Sequence, residues 1–172
     1  MATQLQLIKS QTITSSVSTF DVTDVFSGNY DVYKIVTRGI STTGTAATGV
    51  KIRLINSSGS VVSTSDYDYA YISMLSSGAT SDTRSTNNTY IEEIFGIAYQ
   101  SPQNANSVVY CYNPFSSSSY TFLNFSASAG QLRAPKGIGV YKQNTSMTGF
   151  QILDSTGARP FGSGQIAVYG VK

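Results

Sequence analysis

Apolar residues in this chain recur at every second position, in short runs that clusters of Gly, Asn, Pro and Ser break apart. "VKIRL" is the clearest case: Val50, Ile52 and Leu54 share one face, Lys51 and Arg53 the other. That is the period of a β-strand, and Thr, Val, Ile, Tyr and Phe fill the runs. Helical spacing padded with Ala, Leu, Glu and Lys is nearly absent. Such a chain must bury sheet against sheet.

Runs of this kind number roughly nine to eleven. The pattern predicts one or two strands in "LQLIKSQTITSSVSTFDV", then a short helical turn in "TDVFSG", then the strand "YDVYKIVTRGI" (30–40). In that strand Tyr33 and Ile35 point one way, Val32 and Val36 the other, so both faces are apolar and one needs a cover from elsewhere. Gly49 to Met74 reads as a hairpin turning at "NSSG". A second pair is expected at 107–113 and 120–128, with Pro114 at a strand end. Further strands lie at 137–142, 149–154 and 164–172, and at the last of these Ile166, Val168 and Tyr169 should pair and pack. The polar stretches 76–89 and 129–137 read as surface loops, and "YIEEIFGIAYQ" as a strand with a helical start. Alternation with wet outer faces points to antiparallel pairing. The expected fold is all-β: one domain over 1–172, an antiparallel two-sheet β-sandwich, with a jelly roll as its form.

At 172 residues the chain is long enough to build a core without staples, and with one cysteine, Cys111, it can form no intrachain disulfide. Charged residues are only 12% of the chain, and Ser and Thr supply about a quarter of it. The net charge of +2 comes from scattered lysines and arginines, with no cluster to track a phosphate backbone, so no nucleic-acid partner is expected. No apolar run approaches the ~18 residues of a membrane span, and "MATQLQLIKSQT" lacks a signal-peptide core, so the reading is of a soluble chain complete from Met1.

The chain has no histidine, which removes Ser-His-Asp and Cys-His arrangements and most zinc sites. Any catalysis would fall to carboxylates. Asp66 and Asp68, two apart in "SDYDYAY", would lie about 7 Å apart on one strand face, a spacing open to glycoside hydrolysis but common on any wet strand. The same stretch lacks the third oxygen ligand and the glycine of a calcium loop. Tyr67, Tyr69 and Tyr71 form the opposite stripe, either a platform for a sugar or protein partner or a sheet face filled with aromatics whose hydroxyls reach its edge. These three are the candidate contact residues. Cys111 reads as a small buried hydrophobe, and no motif for a cofactor is present. The four N-x-[ST] triplets are what chance gives in so hydroxyl-rich a chain.

Taken in order, "LQLIKSQTITSSVSTFDVTDVFSGNYDVYKIVTRGI", "IRLINSSGSVVSTSDYDYAYISM", "NPFSSSSYTF", "MTGFQILDSTG" and "GQIAVYGVK" resemble small virion structural proteins of tailed bacteriophages of the marine and cyanobacterial type. The front motif "F…YDVYKI" and the "G-x-I-x-VYG" ending carry most of the likeness. The resemblance implies a non-enzymatic building block of the particle: a capsid decoration or cement protein, or a tail or head appendage. It implies a homo-oligomer, such as a trimer, seated on the major capsid protein or on tail proteins, with host-surface glycan as the ligand of the appendage form. The expected location is therefore the virion.

Overall fold

The computed structural model describes residues 4–99, 101–128, 133–154, 156 and 159–172. Twelve strands run through them: β1 (Leu5–Ile13), β2 (Thr19–Val22), β3 (Val32–Thr42), β4 (Thr48–Asn56), β5 (Tyr67–Leu75) and β6 (Thr80–Asn88), then β7 (Ile97–Ala98), β8 (Ala105–Tyr112), β9 (Thr121–Ser128), β10 (Arg133–Tyr141), β11 (Met147–Asp154) and β12 (Phe161–Val171). All ladders are antiparallel, and no helix occurs among the described residues. The strands form a two-sheet β-sandwich with an eight-stranded sheet ordered β1-β12-β3-β8-β9-β10-β5-β6 and a four-stranded sheet ordered β2-β11-β4-β7.

Strands pair from the outside of the sequence inward: β1 with β12, β2 with β11, β3 with β8, β4 with β7. The inward pairs alternate between the two sheets, as one long hairpin would if wound around a core. The two remaining pairs, β5–β6 and β9–β10, extend only the large sheet, because β9 continues from β8 and β10 accepts β5 as its outer neighbour. The chain end is not frayed: β12 sits between β1 and β3, with Ile166 and Val168 buried.

Burial follows the alternation. Tyr33 and Ile35 of β3, Val50, Ile52 and Leu54 of β4, and Val109 and Cys111 of β8 have no exposed surface. The segment between β2 and β3 adds Phe26, whose ring lies 4.9 Å edge-on from Tyr33 and 6.0 Å stacked from Phe150. Between β6 and β7, Ile91 bridges to Ile52 and Phe95 packs against Phe150.

Five sequence expectations give way here, wholly or in part. The strand count is twelve, above the expected nine to eleven. The stretch 76–89 contains β6 rather than a loop only: its turn closes through Leu75 and Gly78, where φ is +84°, and Thr80–Asn88 then pairs with β5. As an edge strand with no fully buried residue, β6 needs no apolar period, so it gave no strand signal. The hairpin over 49–74 does not form, since β4 and β5 lie in different sheets and only Ile55 and Val61 bridge after the Asn56 turn. The helical starts expected in "TDVFSG" and "YIEEIF" are absent; the second is a bridge at Ile91 and a turn before β7. Of the loop expected at 129–137, residues 129–132 lie outside the described residues, and β10 begins at Arg133.

β5 joins the wide sheet because of what β10 lacks. Tyr69 lies opposite Gly139 and Tyr71 opposite Gly137, so the tyrosine rings occupy space that β10 side chains would fill. Gly139 also admits Ile91 from the covering segment: a Cβ there would stand 2.5 Å from Ile91 Cδ1 and 3.0 Å from its Cγ1. Gly139→Val is expected to lower unfolding free energy by about 1–3 kcal/mol, as overpacking does. Urea denaturation of the two proteins would measure it, and equal midpoints would show that Ile91 can move aside.

Candidate functional site

Tyr67, Tyr69 and Tyr71 face the core, with relative exposures of 0%, 6% and 6%. They are therefore not an exposed platform, and the contact role expected for them at the surface is not what the fold gives them. Each phenol does structural work instead. The Tyr67 hydroxyl accepts the Leu54 N–H of the opposite sheet at 3.0 Å and donates to the Val62 carbonyl at 3.1 Å. The Tyr69 hydroxyl donates to Glu92 at 3.0 Å, on the segment that closes the end of the core. Tyr71 stacks on Tyr69 and meets Phe125 edge-on.

Burial raises all three phenols: Tyr67 and Tyr69 well above the ordinary range, Tyr71 to about 12, with Glu92 beside Tyr69 and Glu93 beside Tyr71 adding to it. The Glu93 carboxyl is also pushed up by burial, and Arg133, 3.7 Å away, opposes that. Cys111 is fully buried with its thiol raised, which leaves it a core residue.

The two aspartates are held as anions. Bonds from Thr64 and Gln143 lower Asp66. Burial alone would raise Asp68, but the Lys142 ammonium at 2.8 Å and the Asn87 N–H at 2.7 Å more than offset it. A glycosidase pair needs one carboxyl kept protonated as the acid, and neither of these is. Among the described residues no group of three or more His, Cys, Asp or Glu is placed to hold a metal ion. Among the described residues no helix is long and apolar enough to cross a membrane.

What the sequence did not single out is the outer face of the large sheet. Register aligns its outward side chains in rows that cross all eight strands. One row runs Leu7, Tyr169, Lys34, Tyr110, and continues through Asn124, Ile138, Ala70 and Arg84. The row on one side brings Val32, Tyr112, Phe122 and Val140 together, and the row on the other Val36, Val108, Ser126, Lys136 and Ile72. Ile138 is 59% exposed, Met74 52%, Phe122 47% and Ile72 46%. Two shallow depressions meet at Ile138: one of about 640 Å³ bordered by Asp68, Arg84, Phe122 and Asn124, one of about 550 Å³ bordered by Ile72, Tyr110 and Lys136.

The small sheet is different. Its outward residues include Asp21, Gln151 and Arg53 in one row, and residues 89–90 partly cover it. Lys51, expected to be wet, is 6% exposed with its ammonium 3.4 Å from the centre of the Tyr90 ring, and Arg53 donates to the Thr89 carbonyl. The apolar second face that "YDVYKIVTRGI" required thus belongs to a whole sheet. A sequence signal existed, in the outward residues Val32, Val36, Val108, Phe122 and Ile138, but only register makes them one surface.

No protein-family profile, curated protein or solved structure matches this chain.

Tyr67→Phe removes a hydroxyl that satisfies a buried N–H and a carbonyl, and is expected to cost about 1–3 kcal/mol, read as a lower thermal midpoint. The phenols also set an alkaline limit. The unfolded chain loses each phenol proton near pH 10 while the fold retains it, so their contribution is complete below about pH 10 and is lost as pH rises toward and beyond 12. Thermal midpoints should be level from about pH 7 to 9 and fall above about 10, and a midpoint unchanged to pH 12 would contradict the burial of these groups.

Proposed function

We propose that this chain is a non-enzymatic structural protein of a bacteriophage virion that assembles onto the particle as a capsid decoration or cement protein. The observation that carries the reading is the eight-stranded sheet with a core on one face and an uncovered, mostly apolar second face. Such a face stabilises contacts by about 25 cal/mol for each Å² of apolar surface removed from water, less the cost of association. Isolated surface hydrophobes are ordinary; a continuous apolar patch of this kind marks an interface. The low charge content suits dense packing of copies, since strong net charge would oppose it. The nested strand pairs support reading the fold as a jelly roll carrying two insertions, β5–β6 and β9–β10. The resemblance to small virion proteins of tailed phages adds the location.

A second reading, a tail or fibre appendage module that binds a host receptor or surface carbohydrate, draws on the larger depression, where Phe122 stands beside Asp68, Asn124 and Arg84. Its contact residues would be these rather than the buried tyrosines. Particles assembled without the protein and then mixed with it should take it up in fixed copy number, as measured by sedimentation and protein quantitation. Failure to add, together with glycan binding that Phe122→Ala abolishes, would replace the decoration reading with the appendage one.

A further inference from the structure

We infer that the outer face of the eight-stranded sheet is the contact between copies of this chain, with Ile138, Phe122 and Ile72 at its centre. This deepens the virion reading by naming the partner of that face, and it stands on the face's own properties.

Size is the first. Eight strands about 4.8 Å apart, with three outward rows about 6.8 Å apart, offer a footprint of about 700 Å², close to the ~800 Å² that each partner buries in a standard interface. A dimer therefore needs no second contact region. Shape is the second. A broad twisted sheet is covered best by another twisted sheet, about 10 Å away, and a copy presents an outer face of the same width and pleat. Contacts of that kind are isologous, the same patch serving both sides.

Charge is the third. A strongly acidic partner would be indicated by a dense cationic patch, and this face has only a small excess of positive charge spread over its width. Lys34, Lys136 and Arg84 stand against Asp68 and Asp82, and Asp68 is already neutralised within the protomer by Lys142. The Lys34 ammonium lies 6.0 Å from the centre of the Tyr110 ring, where its stem covers apolar surface. Two such faces meet with like-signed excess charge on both sides, which salt screens. The small sheet, with Asp21, Gln151 and Arg53 outward, has no comparable apolar surface.

The test is the mass of the purified protein by light scattering across a dilution series. The unaltered protein should be a closed oligomer. Ile138→Asp and Phe122→Asp should each weaken association at least about tenfold, as loss of a central contact does. Both side chains are about half exposed, so the fold should persist, checked by circular dichroism and thermal unfolding. Thr19→Asp, on the outer side of the small sheet, should leave the mass unchanged. Oxidative footprinting of the unaltered protein adds a readout that needs no substitution: Met74, Tyr110 and Phe122 should be protected when concentrated and labelled when dilute. A monomer at all concentrations would overturn the inference, and so would an oligomer that neither variant disturbs and whose footprint spares these residues. Particle uptake is scored separately. A monomer that still adds to particles would sink the inference and leave the virion reading standing; an oligomer held by this face that ignores particles would do the reverse.

Discussion

A sheet of four strands is about 14 Å across and a sheet of eight about 34 Å, at the ~4.8 Å spacing of paired strands. The small sheet cannot cover the inner face of the large one. Everything else in the fold answers that mismatch. Three connecting segments close the uncovered part of the core: 23–31 with Val25 and Phe26, 61–66 beside Tyr67, and 89–96 with Ile91, Ile94 and Phe95. Loops bring backbone polar groups with them, and buried ones must be paired. Tyrosine meets both needs, since its ring fills the core and its hydroxyl reaches the cover. Tyr67 joins Val62 to the β4 backbone, Tyr69 holds Glu92, and the Tyr33 hydroxyl donates to the Ser27 carbonyl while accepting the Ser27 N–H. The glycines of β10 belong to the same solution, because the cover reaches the sheet only where side chains are missing.

The mismatch also explains the outer face. The covering segments close the inner side of the large sheet and part of the small one, and what remains outward on the large sheet is mostly Val, Ile, Phe and Tyr, with Lys34, Asn124 and Lys136 among them. The monomer has no layer left to place there. The contact between copies inferred above would place a second sheet of the same kind there.

Individual strands were legible because most of them bury one face only. β8, β9, β11 and β12 fall where alternation puts them, and the β8–β9 pair was readable from spacing and from Pro114. β6 was not, because an edge strand that buries no residue fully has no apolar period to read. The β4–β5 pairing was misread because the turn at Asn56 looks like a hairpin turn: its side chain accepts the N–H groups of Ser58 and Ser60, and Asn56 N–H reaches the Ser60 carbonyl. Local chemistry made the turn; the partner was chosen by β10, 58 to 74 residues away. The tyrosine stripe was correctly placed on one face of β5, and the sequence reading left open whether that face met solvent or core.

Composition and period alone determined the all-β class, the antiparallel pairing and the residues that alternate, since each is a property of neighbours in the chain. The same residues excluded histidine-based catalysis outright. Which sheet each strand joins, which face of β5 is inside, and that Phe122, Ile138 and Ile72 stand together were decided only in three dimensions. Register between distant strands is fixed by packing, glycine beside tyrosine and loop over sheet, and no local pattern carries that information.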